Sequence, residues 1–136
     1  MSQFVWPVRV YYEDTDSGGV VYYANYLKFM ERARTECLRT MGFEQDKLRQ
    51  EQGVLFAVHS LQVDFRRPAL FNDALEVSAE IRSQRRASLT FFQQIRRRGA
   101  SDVLCCGHIR VACVDAHSFK PVPIPECVRS ELTNVC

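Results

Sequence analysis

One short segment near the start of the sequence combines acids, glycines and the beginning of a helix-like run. It reads YYEDTDSGGVVYYANY over residues 11–26, with Asp14 and Asp16 just before Gly18 and Gly19. A carboxylate attacks a carbonyl or activates a water molecule toward it. The free N–H groups at a helix start stabilise the oxyanion that then develops. The glycines let the backbone turn tightly and leave room for a substrate. The segment therefore predicts an acyl-transfer site that needs no Ser-His-Asp or Cys-His set.

The same residues have three other interpretations. In the first, Asp14 or Asp16 only accepts hydrogen bonds from the backbone of a turn, which the residue types leave open. In the second, D-x-D-x-G begins a calcium loop, but Gly18 stands at the fifth ligand position and Asn25 at the position of the bidentate Glu. In the third, the glycines bind a dinucleotide, but there is no G-x-G-x-x-G and no parallel βαβ pattern follows. The sequence thus excludes calcium and dinucleotide binding and leaves turn capping as the alternative.

The periodicity of apolar residues predicts the elements that hold this segment. Residues 5–13 alternate as a strand does, and residues 24–41 repeat at intervals of three and four, as in an amphipathic helix of about five turns. Residues 44–52 predict a short helix that ends at Gly53, and a proline-rich tail precedes a last helical turn. Four further runs alternate as strands, within residues 55–65, 75–82, 89–96 and 109–113. In the first of these runs one parity is shared by Leu55, Ala57, Leu61, Val63 and Phe65.

A strand, a long helix and about four consecutive antiparallel strands are typical of an α+β fold. One long helix laid on a curved antiparallel sheet buries the apolar stripe of the helix and one face of the sheet. The other face and the edge strands are left for pairing with another subunit. The 136 residues fit one domain, spanning 1–136.

The composition argues against several classes of function. The net charge of +2 is too small to indicate nucleic acid, and no base-stacking motif accompanies the arginines. No apolar run reaches the length of an integral membrane segment, and no export signal precedes the first acids. The six cysteines form no C-x-x-C pair, so they predict reduced thiols, no metal site and a cytoplasmic location.

Three motifs resemble those of a known family. YYEDTDSGGVVYYANYLKFMERAR closely resembles the signature of the hotdog-fold acyl-CoA thioesterases, and the nearest group is the YbgC-type, Tol–Pal-associated enzymes, related to 4-hydroxybenzoyl-CoA thioesterase. VDFRRPALFNDALEV and SLTFFQQI resemble the second, third and fourth strands of that family, so the resemblance covers nearly the whole chain. It implies a hotdog fold, in which a curved antiparallel sheet of about five strands wraps a long central helix. It also implies subunits paired edge to edge as a homodimer or homotetramer, with active sites at the dimer interface and no cofactor.

The resemblance assigns roles within the first motif. The family's catalytic aspartate is the acid of the D-x-x-G step, which falls on Asp16, so that Asp14 is a supporting residue. The backbone N–H that polarises the thioester carbonyl falls on Tyr23. Many YbgC-type members carry His at this position, whereas the benzoyl-type enzymes carry Tyr. A mechanism that needs an imidazole is therefore unavailable, and the choice between short aliphatic and aromatic acyl groups stays open.

Further residues are candidates for binding the substrate. Glu31 lies about two helical turns after Tyr23, where the resemblance implies an acid facing the acyl group and the residue type alone predicts a solvated helix position. The wider set of expected substrate-binding residues is Gly19, Tyr22, Tyr26, Glu31, Ser88 and Thr90. Packing explains the two tyrosines equally well, and the last two residues are expected to approach from the partner subunit.

The arginines fall into two groups that suit the phosphates of coenzyme A. One group is Arg85 and Arg86, and the other is 96–98. A guanidinium group binds phosphate through paired hydrogen bonds, although a solvated strand face is the ordinary explanation of such residues. The sequence does not choose between the two groups.

The sequence thus predicts an acyl-CoA thioesterase that releases a free acid and coenzyme A. Asp16 acts as general base or as nucleophile, and these two roles give the same sequence. The alternative is a protein of another class, which binds acyl-CoA or an acyl carrier protein within a lipid-synthesis or cell-envelope complex without important turnover.

Overall fold

Five antiparallel strands and one long helix form the frame of the protein. The computed structural model describes residues 4–135. Its elements in chain order are β1 (Phe4–Arg9), a 3₁₀ turn (Tyr12–Asp14), α1 (Tyr23–Thr40), α2 (Gln45–Gln52), β2 (Val54–Phe65), β3 (Ala74–Gln84), β4 (Ser88–Arg97), β5 (Val103–Asp115) and α3 (Glu126–Val135). The strands are ordered β1-β3-β4-β5-β2, and every neighbouring pair is antiparallel. This arrangement confirms the predicted α+β hotdog architecture.

The apolar stripe of α1 packs against one face of the sheet. Its buried side chains include Phe29, Met30 and Ala33, whereas Lys28 and Arg32 on the opposite side are exposed. The facing sheet positions in the core are Leu75, Val77, Leu89, Phe91 and Ile109. Burying one such large side chain stabilises the fold by about 1.5–3 kcal/mol. The hydrophobic effect therefore holds the start of α1 at a defined place over the sheet.

Several predicted boundaries differ from the observed ones. β1 ends at Arg9 rather than near Glu13, because residues 12–14 form a 3₁₀ turn whose aspartate holds the chain by a local hydrogen bond. At the other terminus a helix of 10 residues stands where a single turn was expected. The short helix after Gly42 ends as predicted at Gly53, which adopts the left-handed conformation that favours glycine.

β2 contains a β-bulge that reverses the direction of part of its side chains. Val58 lies opposite Val111 of β5 and Ser60 lies opposite Arg110, so that His59 is an extra residue in the pairing. An insertion of one residue inverts the alternation on one side of the bulge. The side chains on the helix-facing side are therefore Phe56, Val58, Leu61, Val63 and Phe65, each opposite a β5 position of that same face.

The single parity predicted for Leu55, Ala57 and Leu61 is therefore wrong, because alternation in the sequence does not reveal a bulge. Val58, Leu61 and Phe65 stay about half exposed in one chain, since β2 is an edge strand of the sheet. They line the open side of the groove between the sheet and α1.

The cysteines behave as small apolar residues. Cys37 and Cys113 are buried in the core, as predicted. Burial raises the pKa of the Cys105 thiol to about 12 and that of Cys113 to about 11, so both stay protonated at neutral pH. The described cysteines are free thiols, and Cys136 lies outside the described residues. Within residues 4–135, none of the helices is long and apolar enough to cross a membrane.

Candidate active site

The acidic glycine segment folds into a small hairpin that leads directly into α1. The Asp16 N–H donates to the Val20 carbonyl at 2.9 Å, and the Gly19 N–H donates to the Asp16 carbonyl at 3.1 Å. Gly19 has φ +79°, a left-handed conformation that is strained for a residue with a side chain. The turn therefore needs a glycine at this position, and it brings the chain back beside Asp16 before the helix begins.

The Asp16 carboxylate is exposed at the tip of this hairpin. Its Oδ1 accepts the Gly18 N–H at 2.8 Å. Among the described residues no donor is seen for its Oδ2. The hydrogen bond to Oδ1 caps the turn, which is the alternative role that the sequence left open for Asp16. The second oxygen, Oδ2, stays available to a reactant. The two interpretations are compatible in one side chain.

Asp14 holds the helix start in place mainly through its backbone. Its carbonyl accepts both the Tyr22 N–H and the Asn25 side-chain amide at 2.9 Å. Its carboxylate Oδ2 accepts the Tyr11 N–H at 2.9 Å and so closes the 3₁₀ turn. These contacts fit the supporting role expected for Asp14, because they position neighbouring backbone and its side chain is less exposed than that of Asp16.

The first N–H groups of α1 are available at the end of the hairpin. The helix begins at Tyr23, and Tyr22 stands at the N-cap without a side-chain cap bond. Among residues 4–135 no acceptor is seen for the Tyr23 N–H, whereas the Asn25 N–H already donates to the Tyr22 carbonyl at 2.8 Å. Such a free donor at the positive end of a long helix suits a developing negative charge.

An open cleft of about 250 Å³ lies beside this helix start. Tyr23 and Tyr26 form one wall and Phe65 the other, with Tyr23 and Phe65 edge to face at a ring-centroid separation of 6.2 Å. The lining is completed by Val21, Arg66, Arg67 and Pro68. The cleft therefore combines apolar aromatic walls with two guanidinium groups at the end of β2.

Tyr26 contributes to this cleft as a positioning residue. Its ring is buried against Phe29 and Phe65, and its hydroxyl accepts the Ala69 N–H at 2.9 Å. Burial raises the pKa of the Tyr26 phenol, so the hydroxyl is neutral at ordinary pH. Tyr22, by contrast, is about half exposed and lies against the Tyr23 ring at a centroid separation of 4.9 Å.

The remaining predicted substrate residues lie elsewhere in a single chain. Glu31 is exposed and lines a different cavity, farther along α1. Ser88 and Thr90 alternate along β4 with Leu89 and Phe91, whose side chains are in the core beneath α1. They therefore face the opposite side of the sheet, away from the Asp16 hairpin. One chain places Asp16 and Gly19 in the hairpin that leads into α1, and Tyr22, Tyr23 and Tyr26 at the start of that helix.

The arginines of the cleft are not those singled out from the sequence. Arg97 is held within the fold, since its Nε donates to Asp73 at 2.9 Å and its Nη2 to the Pro68 carbonyl at 2.8 Å. Arg66 and Arg67 line the cleft instead. In the sequence, the only indication of their role was that they directly follow a strand. They reach the cleft because the folded chain places the end of β2 beside the start of α1.

Comparisons with known proteins identify the family of this chain and agree with its fold. The sequence model described as the thioesterase-like superfamily matches residues 10–132. An acyl-CoA thioesterase YbgC of Haemophilus influenzae is 46% identical over 127 residues, which cover 93% of this chain and 92% of the relative. An acyl-CoA thioester hydrolase YbgC of Escherichia coli is 46% identical over 128 residues, 94% of each chain. A solved probable thioesterase from Bartonella henselae superposes with a TM-score of 0.86 at 31% identity and covers 91% of this chain and 100% of its own.

Proposed function

The chain belongs to the thioesterase-like superfamily and, within it, to the YbgC acyl-CoA thioesterases, and on that basis we propose that it hydrolyses an acyl-CoA thioester to a free acid and coenzyme A. One observation carries the assignment of the reacting groups. The exposed Asp16 carboxylate lies in the hairpin that leads into α1, and the free Tyr23 N–H is the first N–H of that helix. This arrangement presents a base or nucleophile together with an oxyanion donor.

Asp16 acts on the carbonyl carbon by one of two routes. As a general base it takes a proton from water while the water oxygen bonds to the carbonyl carbon. As a nucleophile its own oxygen forms that bond, and water then cleaves the resulting anhydride. In both routes the carbon–sulfur bond breaks and the departing thiolate of coenzyme A takes up a proton. The Gly18 N–H at 2.8 Å from Oδ1 orients the carboxylate in either case.

The Tyr23 N–H stabilises the oxyanion of the tetrahedral intermediate. It is the first helical N–H of an 18-residue helix, so the partial positive charge of that terminus adds to the hydrogen bond. Removing one such donor from an enzyme typically costs about 2.7–4 kcal/mol of transition-state stabilisation. This role belongs to the backbone and does not require an imidazole at the position.

The aromatic cleft is the proposed place of the thioester and its pantetheine arm. Tyr23, Tyr26 and Phe65 supply apolar walls. The glycines of the hairpin keep Asp16 accessible, because a Cβ at Gly18 would lie 3.2 Å from Asp16 Oδ1 and the space beside Gly19 is open within 4 Å. Arg66 and Arg67 at the end of the cleft are our candidates for the coenzyme A phosphates.

A second subunit completes the proposed site. β2 is an edge strand with half-exposed apolar side chains at Val58, Leu61 and Phe65, and an antiparallel copy of β2 would cover them. We propose a homodimer formed in this way, or a homotetramer of two such dimers, in which each site takes residues from two subunits. Acyl carrier protein is a further candidate carrier of the acyl group, and the cytoplasm is the proposed location.

The decisive experiment compares the wild type with Asp16→Asn on a panel of acyl-CoA thioesters. Release of the thiol by the wild type, with a loss of about a hundredfold or more in the variant, is expected. The variant should keep its fold and its acyl-CoA affinity, because the amide nitrogen or oxygen can still occupy the exposed turn. Wild-type protein that binds acyl-CoA or acyl carrier protein but releases no thiol from any chain length would support the binding-only alternative and overturn the hydrolysis.

A further inference from the structure

A second cavity, of about 270 Å³, opens between α1, the start of α2 and the helix-facing side of the sheet. Its apolar walls include Leu38, Phe56 and Phe91, and its polar lining includes Glu31 and Arg34. It shares no lining residue with the cleft beside Tyr23. The cavity is smaller than pockets for drug-sized ligands, which are about 300–1,000 Å³, and so suits a small molecule.

Arg34 is the unusual feature of this cavity, because its charged side chain is only 8% exposed. Its Nη1 donates to Oε1 of Gln93 at 3.0 Å. Within residues 4–135 no ion pair joins Arg34 to a carboxylate. A guanidinium group has five N–H donors, so one neutral amide oxygen leaves most of its hydrogen-bonding capacity unused. A buried charge of this kind is costly unless it is paired.

The neighbouring Gln93 makes this arrangement rigid. Its Nε2 donates to the Met30 carbonyl at 2.9 Å and to the Ser78 carbonyl at 3.1 Å, which ties α1 to β3 and β4. These two bonds fix the orientation of the amide, so Oε1 is the atom that faces Arg34. The hydrogen bond to Gln93 therefore holds the guanidinium group at the cavity wall.

Glu31 stabilises the charged form of Arg34 from a distance, without forming an ion pair with it. It lies one helical turn earlier on α1, lines the same cavity and is exposed. Burial lowers the pKa of the Arg34 guanidinium, and the charge of Glu31 acts in the opposite direction. The guanidinium stays charged at neutral pH, because an arginine side chain is effectively always protonated in proteins.

We propose that this cavity binds the carboxylate of a small organic acid, with Arg34 as the anchor. The planar guanidinium fork matches the two oxygens of a carboxylate. Leu38, Phe56 and Phe91 provide contacts for a short aliphatic chain. Inorganic phosphate would satisfy the charge but would leave these apolar walls without a ligand, so the lining favours an acid with a hydrocarbon part.

The carboxylate has two sources, a free acid or the far end of an acyl group. Phe56 and Val58 line the cavity and Phe65 lines the catalytic cleft, all on the helix-facing side of β2. Antiparallel pairing of two β2 strands places the first half of one against the second half of the other. The cavity of one subunit then lies beside the partner's cleft, and a dicarboxylic acyl group would join them. This second source rests on the proposed function, whereas the first does not.

The first test measures binding to the full-length protein without turnover. We expect saturable binding of butyrate, monitored by NMR or calorimetry, and no comparable binding of butyramide, which has the same shape without the charge. Because Glu31 is exposed, Glu31→Gln should fold normally, and removal of its like charge should tighten butyrate binding about threefold to tenfold. Arg34→Lys, which keeps the charge but not the fork, should weaken it.

The proposal is overturned by either of two results of this test. One is the absence of saturable butyrate binding, and the other is an affinity for butyrate that Glu31→Gln and Arg34→Lys both leave unchanged. Since no thioester is hydrolysed in this test, its outcome is independent of the proposed catalysis.

The second test distinguishes the two sources by thiol release from glutaryl-CoA and valeryl-CoA, which have acyl groups of the same length. A kcat/KM ratio that favours glutaryl-CoA in the wild type and falls in Arg34→Lys identifies the acyl group as the source. Equal kcat/KM values for the two thioesters, in a protein that binds butyrate, identify a free acid as the source. Both results support the carboxylate site. Thiol release from neither thioester would count against the proposed hydrolysis and not against the site.

Discussion

The hydroxyl of Tyr26 accepts a hydrogen bond from the backbone N–H of Ala69 at 2.9 Å. In return the Ala69 carbonyl accepts the Val21 N–H at 2.9 Å. These two bonds join the first turn of α1 to the segment that follows β2. The segment carries Arg66 and Arg67, so these two bonds hold the two walls of the cleft beside Tyr23 together.

Tyr26→Phe should therefore lower both stability and activity. Loss of the acceptor leaves the buried Ala69 N–H unpaired, which costs about 1–3 kcal/mol of unfolding free energy. Denaturant unfolding and kcat/KM measure the two effects. The matched control is Tyr11→Phe, whose ring is exposed and whose change should stay within about 0.5 kcal/mol. Equal midpoints for wild type and Tyr26→Phe would contradict the positioning role.

The neighbouring acids of the hairpin should differ strongly in their importance for turnover. Each carboxylate holds one backbone N–H, but that of Asp16 is the more exposed and so the more accessible to a reactant. Asp14→Asn should therefore retain turnover within about tenfold of the wild type, whereas Asp16→Asn should lose far more. Steady-state thiol release from one acyl-CoA measures both variants. A larger loss in Asp14→Asn than in Asp16→Asn would reverse our assignment of the two acids.

A single turnover in ¹⁸O-labelled water separates the two routes for Asp16. In the nucleophile route, attack of water on the aspartyl carbon of the anhydride leaves the label in Asp16, where mass spectrometry of the peptide detects it, whereas attack on the acyl carbon leaves it in the released acid. A labelled Asp16 peptide therefore identifies the nucleophile route. The general-base route places the label in the released acid alone. Both outcomes are compatible with the loss expected for Asp16→Asn, so this measurement complements the variant.

Arg66→Ala and Arg67→Ala should raise KM for acyl-CoA more than they lower kcat. A lost phosphate contact weakens binding of ground state and transition state alike, and the effect should diminish as salt is added. Initial rates at low and high ionic strength measure it. Arg98→Ala is the matched control, because Arg98 is exposed and does not line the cleft. An Arg98 variant with the same rise in KM would point to a general charge effect instead.

The open edge of β2 should be required for self-association. Leu61→Asp places a charge among the apolar side chains that a second β2 would cover, so the protein should sediment as a smaller species with reduced activity. Val5→Asp, on the opposite edge strand and similarly exposed, serves as the control. A wild type that is fully active as a monomer would exclude a shared site.

Mixed subunits test whether a site takes residues from two chains. If Thr90 acts on the partner's thioester, then a dimer of one Asp16→Asn subunit and one Thr90→Ala subunit has one intact site. Random mixing of equal amounts should then restore activity to about a quarter of the wild-type value, since half of the dimers are mixed and one site in each works. Activity equal to the average of the two pure variants would show that Thr90 does not complement Asp16 across the interface.

The elements of this protein could be predicted from the sequence because their signals are local. The 3.6-residue stripe of α1 and the alternation of β3 arise from neighbouring residues along the chain, and both elements are found where the periodicity indicates. The same holds for the acid, glycine and helix-start order around Asp16, since a turn and a helix terminus form among residues close in sequence. The family resemblance rested on this same local motif.

The residues that line the cleft and the second cavity could not be predicted from local patterns, because they come together through pairing between distant segments. The bulge at His59 sets which β2 side chains face α1, and it follows from the register against β5 rather than from any preference of His59 itself. Arg66 joins the cleft only because the end of an edge strand lies beside the start of α1. In the sequence, Arg34 resembles any other charged residue on a helix. It is buried because the apolar stripe of α1 packs on the sheet, which places this side chain beside Gln93. Long-range packing therefore determined which charged groups meet, although the helix and strands that carry them were already encoded locally.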